Sequence, residues 1–142
     1  MLDGSLDESA WSEAPVAHGF IQNDPHEGSP ATFDTDVRVI YTVDALYVGV
    51  FAHDDDTSRL VVNDLKKDYD KEASDGFRVI LDTFHDGRNG YEFFTNPSGA
   101  KWDAQVAGEG RDINTNWDAI WDVKTRITMF QRKFRRLNED SY

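Results

Sequence analysis

Cysteine is absent from the chain, which removes disulfides, thiolate metal sites and a thiol nucleophile together. Cations are scarce: 15 Lys and Arg stand against 27 Asp and Glu, for a formal net charge of −12 at pH 7. That balance argues against a nucleic-acid partner, whose affinity rests on cations neutralising phosphates, and against docking on an anionic membrane surface. No apolar run approaches the roughly 20 residues of a membrane helix, and no basic-then-apolar leader opens the chain. No Gly-x-Ser-x-Gly turn and no phosphate-cradling glycine loop occurs. His18, His26, His53 and His85 lack metal-ligand spacing and read as loop or surface residues.

What is present suits one globular domain. The 142 residues exceed what a small core needs, and 39% apolar with 13% aromatic content is too rich for a disordered acidic segment. Strand periodicity dominates. Across residues 36–43, Val37, Val39, Tyr41 and Val43 share one face; after Asp44-Ala45 the alternation resumes with Leu46, Val48, Val50 and Ala52. Two period-two runs so closely linked predict an antiparallel hairpin, with Arg38, Ile40, Thr42, Tyr47, Gly49 and Phe51 making a mixed second face.

A second run, 77–83, carries Phe77, Val79 and Leu81 inward, and residues 85–90 form a turn from types that tolerate positive φ. Residues 91–96 give another strand, and Pro97-Ser98-Gly99 turns the chain into 101–107, where Trp102, Ala104 and Val106 alternate. Trp121, Val123, Thr125 and Ile127 mark one more expected strand. Helix is expected only as single turns at 8–13 and 58–67. Many short strands separated by turn signals predict an all-β sandwich whose interior is Val, Leu, Tyr and Phe. The last fourteen residues, 129–142, depart from this: they carry a local +2 against −14 for the preceding 128. Phe130, Phe134 and Leu137 there stand at helical spacing, but the segment reads first as a frayed basic tail.

Three stretches together resemble the family 9 carbohydrate-binding module, in the form found near the start of large secreted or outer-membrane bacterial proteins. The first is Leu2-Asp3-Gly4 with Leu6-Asp7-Glu8 and Trp11. The second runs from Val37-Arg38-Val39 to Tyr47-Val48-Gly49. The third is Asp75-Gly76-Phe77 through Leu81-Asp82-Thr83, continued by Gly90-Tyr91-Glu92-Phe93 and Asn96-Pro97-Ser98-Gly99.

The resemblance covers residues 1–128 and implies an immunoglobulin-like antiparallel β-sandwich. It also implies sugar binding, association with xylanase-type and other polysaccharide-degrading proteins, and an extracytoplasmic setting within a larger polypeptide. Family members continue past this point with a Gly-Trp segment and a further strand, so the resemblance implies a chain lacking its last strands. The expected role is accessory rather than catalytic. With so many carboxylates, a glycosidase-like pair would always be found and would mean nothing.

Sugar recognition needs an aromatic platform for the C–H face of the ring and planar polar groups for its hydroxyls. Trp11 and Trp121 read as core. Trp102 and Trp117 flank the glycine-rich, polar segment 108–116, read as a long loop, and are the expected exposed pair. In the sugar-binding members a tryptophan stands where this chain has Glu72, a carboxylate where it has Arg78, and an arginine where it has Phe94; their asparagine is matched by Asn96. The candidate ligand-binding residues are therefore Asn96, Trp102, Trp117 and Arg78.

Acids cluster at Asp54, Asp55 and Asp56, and again at Asp68, Asp70, Glu72 and Asp75. The plainer reading is a solvated acidic surface. The alternative is a structural Ca²⁺ site, since hard oxygen ligands on loops suit that ion and related modules hold it. A helix–loop–helix calcium motif at 68–72 is excluded because its glycine and its distal glutamate are missing. Two further readings stay open. One is a structural or docking domain of an outer-membrane protein with a degenerate sugar site. The other is a haem- or metal-binding relative, disfavoured because Met1 and Met129 are the only methionines.

Overall fold

The computed structural model describes residues 3–62, 67 and 74–128. Among the described residues the molecule is all-β apart from one short α-helix, α1 (Ser9–Glu13), and 3₁₀ turns. Two antiparallel sheets form the layout of a sandwich. The first has the order β1 (Val16–Ala17), β2 (Thr35–Tyr41), β3 (Leu46–Ala52), and the second β4 (Phe77–Leu81), β5 (Gly90–Thr95), β6 (Lys101–Ala107), β7 (Asp112–Asn114). Among the described residues no helix is long and apolar enough to cross a membrane.

The β2–β3 hairpin forms as the alternation requires. Val37 opposes Val50, Val39 opposes Val48, and Tyr41 opposes Leu46, so the β-branched side chains meet across the ladder. Thr42 closes the turn: its N–H donates to the Ala45 carbonyl at 2.8 Å, and its Oγ1 accepts from the Ala45 N–H at 3.1 Å. The burial runs against expectation, however. The Val face of this hairpin is only partly covered, and Val39, Tyr41 and Leu46 are exposed. The packed spot lies at the middle of the mixed face, where α1 sets Trp11 against Gly49, while Tyr47 and Phe51 on either side of it are exposed. A Cβ at Gly49 would stand 2.7 Å from the Trp11 ring and 3.0 Å from Leu6 Cδ2. A missing side chain, not an apolar stripe, decides which face receives the indole.

The second sheet is packed on both sides. Phe77, Val79 and Leu81 lie half-buried on one face with Tyr91 and Phe93. Trp102, Ala104 and Val106 lie buried on the other, where Phe94 pairs with Trp102 and Glu92 with Ala104. The turns are held by side chains more than by glycine. The Asn96 Oδ1 accepts from the Ser98 N–H at 3.1 Å, the Ser98 hydroxyl at 2.6 Å and the Ala100 N–H at 3.0 Å, which fixes the β5–β6 connection.

Two expectations are corrected. Residues 108–116 are not one long loop: a 3₁₀ turn at Gly108–Gly110, with Glu109 at φ 64°, folds β7 back on β6. Residues 121–128 alternate but form no strand. β7 already occupies the C-terminal part of β6's open edge. The following chain instead crosses the sheet face, where Asp103 Oδ2 accepts from the Ala119 N–H at 2.6 Å and Lys101 Nζ donates to the Trp121 carbonyl at 2.8 Å. Beyond it, Arg126 donates to Ser5 Oγ at 2.6 Å, joining this segment to the start of the described chain. At the start of the turn expected at 58–67 the chain forms a 3₁₀ turn, Thr57–Arg59, capped by Asp56; residues 63–66 lie outside the described residues. The basic segment 129–142 lies outside the described residues.

Candidate functional site

β5 presents Tyr91 and Phe93, beside Lys101, Asp103 and Gln105 of β6, on the sheet face crossed by residues 117–121. Trp117 stacks on Tyr91 with ring centroids 4.5 Å apart and planes at 28°. Phe93 meets both Trp117 and Trp121 edge-on, at 6.1 Å and 5.4 Å, and Lys101 Nζ sits 5.5 Å above the Trp121 ring. Trp117 is half-buried. Polar groups border it: Gln105 is the register partner of both Tyr91 and Asn114, and the Asn114 carbonyl accepts from the Trp117 N–H. Gln105 and Asn114, both exposed, also line an open depression of about 580 Å³ with Ala107, Arg111, Asp112 and Ile113. Such a surface supplies a flat ring and planar amides side by side.

Beneath it lies a buried charge. Asp103 is 0% exposed; Lys67 Nζ lies 3.5 Å from its Oδ1 and pairs also with Asp118. Lys67 and the Ala119 N–H tie 117–121 to the sheet and so hold Trp117 in place.

The four residues expected at a ligand site are not gathered. Trp102 and Trp117 lie on opposite faces of the same sheet, and Trp102 is 7% exposed, which corrects its expected exposure. Its position opposite Phe94, in register beside buried Ala104, places it in the core. Asn96 is 1% exposed, and its Oδ1 already accepts three hydrogen bonds within the turn. Arg78 is exposed at the rim of the Trp102 face, with its guanidinium 3.5 Å from the buried Glu92 carboxylate. Tyr91 and Gln105 were missed in the sequence as partners of Trp117. Their same-face parity across β5 and β6 was the available signal, but only the register makes them neighbours.

Of the candidate calcium ligands, Asp68 and Asp70, with Glu72, lie outside the described residues. Asp54 accepts from the Asp56 N–H at 2.8 Å, and Asp56 caps the turn at Ser58. Asp75 accepts from the Val61 N–H at 2.8 Å. Each of these three carboxylates already has a backbone partner, local for Asp54 and Asp56 and fourteen residues away for Asp75, while Asp55 is exposed. Among the described residues no group of three or more acids or histidines converges.

Two other carboxylates shape the β4–β5 loop. Asp82 accepts from Gly87 and Asp86, and Asp86 from Arg88, the Asn89 backbone and the Asn89 amide. The Gly87 N–H chiefly holds Asp82 below its ordinary value of 3.8, and the Asn89 side chain does the same for Asp86. A depressed folded pKa means that the loop is favoured above the ordinary value and loses that support as pH falls through the lowered ones. Carboxyl NMR titration is expected to give both midpoints below 3.8, with the Gly87 and Asn89 amides losing exchange protection in step. Midpoints at or above that value would remove this account of the loop.

No family model, curated protein or solved structure matches this chain.

Proposed function

We propose that this domain is a non-catalytic carbohydrate-binding module that holds an attached extracytoplasmic protein against xylan- or glucan-type glycans. The carrying observation is the half-buried Trp117, stacked on Tyr91 and bordered by the exposed Gln105 and Asn114. The indole offers its face to the C–H side of a sugar ring, and the two amides both donate to and accept from hydroxyls. This reading moves the sugar from the face carrying Trp102, Arg78 and Asn96 to the opposite face of the second sheet. The all-β architecture and the family 9 resemblance in the sequence support it. Affinity is expected to be weak, because water competes for every hydroxyl.

Titration with cello- and xylo-oligosaccharides, followed by Trp fluorescence, is expected to saturate at millimolar sugar. Trp117→Ala is expected to weaken binding by about tenfold, the worth of one stacking ring. No response to either sugar, or an unchanged response in Trp117→Ala, would overturn the assignment.

One observation favours a second reading, a docking domain with a degenerate sugar site. Two residues matched to the family cleft are engaged inside the protein: Asn96 in its turn, and Phe94, which stands where the family has its arginine, against the core. That reading expects no sugar response at all.

A further inference from the structure

β3 is the outer strand of the first sheet, so one of its edges is open among the described residues. Two bonds fix which groups it presents. The Thr42 N–H donates to the Ala45 carbonyl at 2.8 Å, and at the far end the His53 N–H donates to the Asp34 carbonyl at 2.9 Å. In an antiparallel ladder the direction alternates, so Tyr47, Gly49 and Phe51 turn their backbone groups toward β2. Leu46, Val48, Val50 and Ala52 turn theirs away from it.

Natural sheets blunt such an edge with charge, proline or shortness. The other sheet edges use these devices: β1 is two residues long, β7 three, and β4 carries Arg78. β3 uses none: its seven residues, Leu-Tyr-Val-Gly-Val-Phe-Ala, hold no charge and no proline in a chain of net charge −12.

The strand is also self-complementary. Antiparallel pairing of two copies about Gly49 sets Leu46 against Ala52 and Val48 against Val50, the residues whose N–H and C=O point outward. Every outward group then finds a partner. On the other face Tyr47 meets Phe51 in the closer, non-hydrogen-bonded positions that favour aromatic pairs. The adjoining face with Val39, Tyr41 and Leu46 is exposed as well.

We propose that β3 pairs with β3 of a second copy of this chain about a two-fold axis at Gly49, joining two three-stranded sheets into one continuous sheet. The contact is isologous and smaller than a standard interface, which places it among weak, reversible associations. The same register opposes Asp44 to Asp54 of the second copy. The dimer is therefore held back by like charge and strengthens with added salt.

Sedimentation of the full chain from low-micromolar to near-millimolar concentration is expected to move the mass from 16.2 kDa toward twice that value, more readily at high salt. Amide exchange locates the contact. Leu46, Val48, Val50 and Ala52 are expected to gain about tenfold or more protection with concentration, while Tyr47, Gly49 and Phe51 stay protected throughout. The double substitution Leu46→Lys with Ala52→Lys changes two residues exposed in the single chain and sets like charges opposite each other in the pair. It is expected to abolish the mass shift, whereas Ile113→Lys on β7 is expected to leave it intact. A chain that stays at 16.2 kDa throughout would overturn the proposal. So would a dimer that protects other amides, or one that survives the double substitution.

Discussion

Asn96→Ala is expected to cost about 2–4 kcal/mol of stability, roughly a 10 °C fall in melting temperature for a chain of this length. The reason is local and countable. Asn96 Oδ1 accepts from the Ser98 N–H, the Ser98 hydroxyl and the Ala100 N–H, and the residue is almost wholly buried. Ala100 is itself in the core, so its N–H has no solvent to turn to when the acceptor is removed. Asn96→Asp keeps an acceptor of the same shape and is expected to recover much of the loss.

The experiment also separates two roles for this residue. If Asn96 reads sugar hydroxyls, Asn96→Ala abolishes binding while leaving the melt nearly unchanged. If it builds the β5–β6 turn, the melt falls, and sugar binding below the transition survives. Thermal denaturation beside the oligosaccharide titration decides between them.

Asp103 is expected to show the other large effect. Removing one partner of a buried ion pair commonly costs about 3–5 kcal/mol. Lys67 is 40% exposed and can be rehydrated, so Asp103→Ala is expected below that range, at about 2–3 kcal/mol. The loss has two parts, the ion pair and the Ala119 N–H anchor. Asp103→Asn retains an acceptor for Ala119 and is expected to lose less. Lys67→Met leaves the carboxylate buried with the Ala119 N–H alone, and the double variant Lys67→Met/Asp103→Asn is expected to be less destabilised than the two singles added together. A coupling of about 1 kcal/mol by chemical denaturation is the expected result, and strict additivity would show that the pair does not interact. Because Asp103 holds 117–121 on the sheet, Asp103→Ala is also expected to weaken sugar binding through displacement of Trp117. Trp117→Ala removes the ring itself and leaves the Asp103–Lys67 pair and the Ala119 anchor in place.

The strands were legible because period-two alternation is a local property. Val37, Val39, Val48 and Val50 announce a hairpin whatever surrounds it, and the Asn96 to Gly99 turn announces the next. Faces were less legible. The apolar stripe of β2–β3 suggested an interior, yet Gly49 on the opposite side admits Trp11. A glycine's vacancy becomes a packing site only when another element arrives to fill it. Trp102 and Trp117 looked alike in sequence, each beside a polar segment; their separation onto two faces follows from the β5–β6 register. The alternation at 121–127 was genuine, but a strand also needs an open edge, and β7 had partly filled the nearest one.

Composition and alternation alone settled that this cysteine-free, strongly acidic chain folds as antiparallel strands, since charge and side-chain period require no partner to be read. The pairing of Trp117 with Tyr91, the burial of Asp103 beneath it and the sealing of Asn96 inside its turn were decided only by tertiary structure. Each depends on residues distant in the chain or on burial, and these exist only once strand register and packing have been fixed.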